Sequence, residues 1–213
     1  GGIQTACDEA QYRRIPAITT DVQFVTGSVN PIVISDDAWK IPFQNIRRVN
    51  VFFRGIKDAP IRESLKNRYR AEARFLRAWY YSIMLKHYGG IPIIGDTVYN
   101  DGDKMDLIRQ SYDSCVNYIV KECERAIEEG PLPARYTGSN YGRVSAGACR
   151  GLISRVRLYA ASELFNGSAE MAAGTNCPAE LLGYPEYDKN RWQLALDAAR
   201  PLAEYYLQGQ PST

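Results

Sequence analysis

One histidine, three close pairs of carboxylates, five cysteines and a surplus of tyrosine are the side chains in this chain with chemistry to offer. His87 stands alone, which excludes an HExxH helix and any other metal site built on two histidines. Its place beside Tyr88 and Gly89, at the end of a helical stretch, suits a packed or capping residue, because helix C-termini favour such side chains electrostatically. The carboxylate pairs are Asp36–Asp37, Asp101 with Asp103, and Glu128–Glu129. Two carboxylates are the minimum for glycoside hydrolysis. Each pair also has a structural reading: Asp36–Asp37 at a helix N-terminus, Asp101-Gly102-Asp103 in a turn, Glu128–Glu129 in a solvated last turn. The cysteines (Cys7, Cys115, Cys123, Cys149, Cys177) form neither a CxxC pair nor a zinc spacing. Cys115 and Cys123 fall on one predicted helix about 12 Å apart, too far for a disulfide. Most cysteines therefore read as small buried hydrophobes, while a bridge between distant ones stays open. No metal, cofactor or phosphate-cradling glycine motif is called for.

Binding is easier to build than catalysis. Twenty-four aromatics, fifteen of them Tyr, exceed what a core of this size needs. Tyr12, Phe24, Tyr99, Tyr136, Tyr141, Tyr184 and Tyr187 fall in predicted loops, where flat rigid faces suit sugar rings or peptide side chains and equally anchor long loops. The formal net charge is only +2 over 213 residues, which gives no global case for nucleic acid. Locally, ten basic residues between Arg47 and Arg77 face only Asp58, Glu63 and Glu72. On a long helix such a stripe reads as a solvated face, or as pairs with acidic neighbouring helices, before it reads as a phosphate site. No apolar run of about eighteen residues is present.

Helices must position these groups. Residues 1–35 read as loop-rich and 36–208 as helical. Trp39, Phe43, Ile46, Val49, Asn50 and Phe53 approximate one helix face. Pro60 opens a long helix on which Ile61, Leu65, Tyr69, Ala73, Leu76, Tyr80, Ile83 and His87 give the expected buried stripe, with Arg68, Arg70, Glu72, Arg74 and Arg77 mostly outside it. Gly89 and Pro92 end it. Ser111 caps a helix ending at Gly130-Pro131, Ser145 caps another ending at Asn166-Gly167, and Asn190 starts a last one that Pro201 should kink or split. The expected fold class is all-α, built from tetratricopeptide-like helical hairpins with long loops, without a clean 34-residue repeat.

The segment Arg68 to Ile94, RYRAEARFLRAWYYSIMLKHYGGIPII, resembles the signature of the SusD/RagB family, in which a helix of the form A-E-A-R-F-L-R-A-Y-Y-Y ends in Y-G-G-x-P. Three more blocks agree in order: Asp8-Glu9-Ala10, Asn45 to Gly55, and Gly142 to Asn166. The resemblance implies a surface nutrient-binding lipoprotein of the outer membrane, not an enzyme, that captures an oligosaccharide or a peptide. It would hand this ligand to a SusC-type TonB-dependent transporter. It also implies that this sequence is an N-terminal and central piece of a longer protein, anchored through an N-terminal lipid that this chain lacks. Cys7 has no lipobox before it and is not that anchor. The family holds ligand partly in the loop after its D-E-A element, which corresponds to Tyr12 through Trp39. Thr26-Gly27-Ser28-Val29 stands there in place of an N-G-S-W-like element, so the aromatic is missing, leaving Arg13, Phe24, Asn30 and Trp39 as ligand-binding candidates. Two alternatives remain: an all-helical glycoside hydrolase using the paired carboxylates, and a generic tetratricopeptide-type adaptor.

Overall fold

A computed structural model describes residues 26–28 and 38–208. The chain divides into two units, Gly1–Ile41 and Pro42–Thr213. In the first, Thr26 to Ser28 forms a turn in which the two hydroxyls lie 2.8 Å apart, with Gly27 at φ 66°. The second is helical, and no strand occurs among the described residues; one isolated bridge joins Asn166 to Tyr184.

Seven helices are described: α1 (Lys40–Gly55), α2 (Glu63–Tyr88), α3 (Tyr112–Glu129), α4 (Ala146–Ala161), two short helices α5 (Ala169–Ala173) and α6 (Ala179–Leu182), and α7 (Asn190–Gln208). Side-chain partners fix their directions. Arg74 of α2 meets Glu129 of α3, Tyr81 meets Tyr118, and Ile91, just past α2, meets Cys115. As α2 advances α3 retreats, so the two are antiparallel. Tyr112 at the start of α3 stacks on Phe165 just after α4, and Arg191 at the start of α7 reaches Asn166, which gives two more antiparallel neighbours. Stacked antiparallel helices with loops of about twenty residues between some of them are the expected tetratricopeptide-like arrangement.

The expected starts of α3, α4 and α7 are found. Ser111 and Ser145 each accept a hydrogen bond from the amide three residues on, at 3.1 and 3.2 Å, as good N-caps do. Three boundaries differ from expectation. α2 begins at Glu63 rather than in the turn after Pro60. α4 stops at Ala161, and Asn166 is buried as a loop clamp instead of ending a helix. α7 runs unbroken through Pro201.

The buried face of α2 is also rotated from the expected stripe. Ala71, Ala78, Tyr81, Met84 and Leu85 enter the core; of the expected stripe Ala73 is buried, while Ile61 and Leu76 are exposed. The cause is size. Ala71 lets neighbouring backbone come close: a Cβ placed on Gly130 would lie 2.2 Å from the Ala71 methyl. The larger Tyr69, Leu76 and Tyr80 instead line a groove toward Val49 and Phe52 of α1. α2 thus has two apolar faces, and the sequence pattern weighted the bulkier one.

Charged residues of the basic stripe tie the helices together. Arg77, expected on the outer face, is 1% exposed. Its Nε and Nη2 donate to Glu122 Oε2 at 2.9 and 2.7 Å, and its Nη1 donates to Asn50 Oδ1 at 2.8 Å and Asp96 Oδ1 at 2.6 Å. Asn50 donates in turn to the carbonyls of Gly95 and Thr97. Arg74 pairs with Glu122 and Glu129, Arg70 with Glu63, and Arg143 with Glu72. Pairing with acidic neighbours, rather than phosphate binding, accounts for this part of the stripe.

Cys115, Cys123 and Cys149 are buried free thiols, and Cys177 is half-buried and free. Burial raises the thiol pKa of all three buried residues, that of Cys149 to about 12. Since the thiolate is the reactive form, iodoacetamide at pH 8 followed by peptide mass spectrometry should modify Cys177 and leave Cys115, Cys123 and Cys149 intact until denaturant is added. Labelling of those three equal to that of Cys177 in native buffer would contradict this packing.

Candidate ligand-binding site

The long loop between α4 and α7 folds back over the start of α3 and builds a polar cleft of about 310 Å³. Its walls carry Asp113 and Asn117 from α3, Arg157 from α4, Tyr184 and Asp188 from the loop, and Arg191 from α7. Each wall is held locally. Asn166 donates to the Asp188 carbonyl at 3.0 Å and accepts from the Asp188 amide at 2.9 Å and from Arg191 Nη1 at 2.5 Å. Gly167 and Ser168 donate their amides to the Tyr184 carbonyl, and Tyr184 donates its own to Phe165. Gly183 is squeezed against Phe165, whose carbonyl would lie 2.6 Å from an added Cβ. These bonds hold the loop against the end of α4 and the start of α7.

Inside the cleft, Asn117 donates to Asp113 at 3.0 Å, and the Arg191 guanidinium sits 3.7 Å over the Tyr184 ring. Burial raises the Tyr184 phenol pKa, as do the charge of Asp113 and a hydrogen bond to it. The phenol thus stays a neutral donor across the physiological range. Carboxylates, amide, guanidinia and phenol offer acceptors and donors side by side, the pattern that matches hydroxyl groups, each of which both donates and accepts. Tyr184 itself is core, not a platform: it is 8% exposed and packs edge-on against Tyr112. Among the loop aromatics expected to present faces, Tyr141 and Tyr187 are well exposed.

Of the ligand-binding candidates read from the sequence, Arg13, Phe24 and Asn30 lie outside the described residues. Trp39 stands in the turn before α1. One carboxylate of each described pair has a structural engagement. Asp103 accepts from the Asn100 amide in a turn, and Glu129 is paired with Arg74 and Arg125. Asp36–Asp37 lies outside the described residues. His87 is exposed, with Nδ1 2.8 Å from the Ile83 carbonyl in the last turn of α2, so it sits at the helix end as expected but is not packed. No group of three His, Cys, Asp or Glu residues among those described could hold a metal, and no described helix is long and apolar enough to cross a membrane. Sequence reading missed Glu122 and the cleft residues other than Tyr184, and took Asn166 only for a helix stop. Glu122 had a signal: it follows Ile119 by three residues, a charge inside an apolar stripe.

Antiparallel helical pairs carrying a polar, loop-built cleft define a tetratricopeptide-like scaffold. The family described as "Starch-binding associating with outer membrane" matches residues 7–158, and this chain belongs to that SusD-like family. Among solved structures, a protein named BT4246 is 30% identical, with a TM-score of 0.69 and coverage of 78% of this chain and 29% of its own. A SusD-like protein from Bacteroides fragilis is 28% identical, with a TM-score of 0.65, over 89% of this chain and 30% of its own. A laminarin-binding SusD-like protein is 25% identical, with a TM-score of 0.60, over 73% and 32% respectively. The chain thus spans about a third or less of the length of these relatives. No curated protein matches it.

Proposed function

We propose that this chain belongs to a non-catalytic, lipid-anchored protein of the outer-membrane surface that captures an oligosaccharide and passes it to a SusC-type TonB-dependent transporter. The observation that carries the reading is membership of a starch-binding, outer-membrane-associated family over residues 7–158. The laminarin binding named for a relative 25% identical supports a glycan over a peptide, and so does the hydroxyl-matching chemistry of the Asp113–Arg191 cleft. Capture needs only hydrogen bonding and stacking, with no covalent step. Arg13, Phe24, Asn30 and Trp39 in the N-terminal segment are proposed as further ligand contacts.

Isothermal titration with laminarin, starch and mixed-peptide ligands, with reducing-sugar release measured in the same samples, tests the reading. The expected result is saturable glycan binding without release of reducing ends. Replacing Arg157 by Ala should weaken binding about tenfold, the usual size of one lost charge-assisted hydrogen bond. Release of reducing sugar would favour the hydrolase alternative, and peptide binding alone would overturn the glycan assignment.

A further inference from the structure

Five of the ten basic residues between Arg47 and Arg77 have no carboxylate partner among the described residues: Arg47, Arg48, Arg54, Lys57 and Arg62. Arg47 donates to the Tyr99 carbonyl and Arg48 to Asn45. Arg54 and Lys57 are exposed, and their side chains make no hydrogen bond among the described residues. Both line one cleft of about 350 Å³, where Arg70 and Arg74 of α2 face the end of α1 and Asp96 and Val98 close a side. That volume lies in the usual range of small-ligand pockets, about 300–1,000 Å³.

The charges in this cleft are unequal. Arg74 is held by Glu122 and Glu129 and Arg70 by Glu63 and Asn67, so their guanidinia are fixed in place and largely neutralised. Asp96, the one acid of the wall, is taken by Arg77 at 2.6 Å. Lys66 donates to the Lys57 carbonyl at 2.8 Å. Two unspent cations therefore remain beside two pinned ones, in a concave site where a charged group is partly shielded from solvent.

We propose that this cleft is a subsite for an anionic group, sulfate or uronate carboxylate, carried on a saccharide. It lies apart from the Asp113–Arg191 cleft and makes the captured glycan an acidic one. The inference rests on the glycan-binding reading above. Arg54 supplies a planar guanidinium suited to two oxygens of one anion, and Lys57 a point charge beside it.

The test is titration of the purified chain with a heparin-derived octasaccharide, an oligogalacturonate, a laminarin oligosaccharide and inorganic sulfate, at 50 and 200 mM salt. At least one acidic saccharide should bind at least about tenfold more tightly than the neutral one, and more weakly at the higher salt. The R54A/K57A double variant, whose side chains hold nothing in the fold, should remove that preference while leaving neutral-glycan binding and the circular dichroism spectrum unchanged. Binding of the neutral glycan with no acidic preference overturns this inference and leaves the glycan reading standing. Absence of any glycan binding overturns both. An acidic preference that survives in the double variant overturns the location, and sulfate binding as tight as the saccharide would mean an adventitious ion only.

Discussion

Replacing Arg77 by Met should lower the stability of this chain by about 3–5 kcal/mol, the usual cost of breaking a buried ion pair from one side. The guanidinium is 1% exposed and joins four segments: α1 through Asn50, α2 itself, the loop after α2 through Gly95 and Asp96, and α3 through Glu122. Met fills much of the aliphatic volume, so the loss isolates the polar links. Glu122, itself 3% exposed, would keep only Arg74 at 3.2 Å and a marginal approach from Arg125 at 3.9 Å. Replacing Glu122 by Met as well should recover most of the loss, since removing both members of a buried pair is often near neutral whereas removing one strands a charge. Urea denaturation of the two single variants and the double variant gives the coupling directly. A single-variant change below about 1 kcal/mol would show that the network carries no weight.

The second large effect is expected at the glycines that end α2. Gly89 sits at φ 70°, ψ −138°, and an added Cβ would lie 2.2 Å from the Leu181 carbonyl oxygen. At Gly90 the added atom would lie 2.1 Å from the Gln110 carbonyl oxygen. Both clashes are with backbone, and the Gly90 amide is already bonded to the Leu181 carbonyl at 2.6 Å. Gly89→Ala combines backbone strain of about 1–3 kcal/mol with overpacking of about 1–3 kcal/mol, so a loss of about 2–6 kcal/mol is expected. Gly90→Ala should lose the overpacking part alone. Gly151→Ala is the control. It lies inside α4 with nothing within 4 Å of the added Cβ, and should gain up to about 1 kcal/mol in helix propensity. Thermal melts of the three variants should therefore rank Gly151→Ala above the parent and Gly89→Ala lowest. Equal melting of Gly89→Ala and the parent would contradict the close approach of α6.

The parts of this fold that local chemistry dictates could be read from the sequence. Ser111 and Ser145 cap where expected because a hydroxyl three residues before a free amide needs no tertiary partner. The Gly-Gly stop after Tyr88 was legible for the same reason. What depended on a partner was not. The buried side of α2 was read only in part: Ala73 is buried as the stripe expected, but the stripe left out Ala71 and Ala78, whose small side chains count for little in a hydrophobic pattern. Arg77 looked solvent-facing because Glu122, Asn50 and Asp96 are 45, 27 and 19 residues away. Tyr184 read as a loop aromatic open to ligand, but its loop folds onto Tyr112. The cleft residues, drawn from α3, α4, α7 and the loop between the last two, share no spacing a sequence pattern could register.

The tight seat of Gly89 and Gly90 bears on how such chains can diverge. A backbone held within about 2 Å of where any side chain would begin leaves one residue type admissible, whatever the protein binds. Tyr141 and Tyr187, projecting from loops with most of their surface in water, answer to no such limit and can be exchanged without disturbing the scaffold. Packing alone thus restricts the first two positions, whereas change at the two tyrosines is open to whatever they touch in solution.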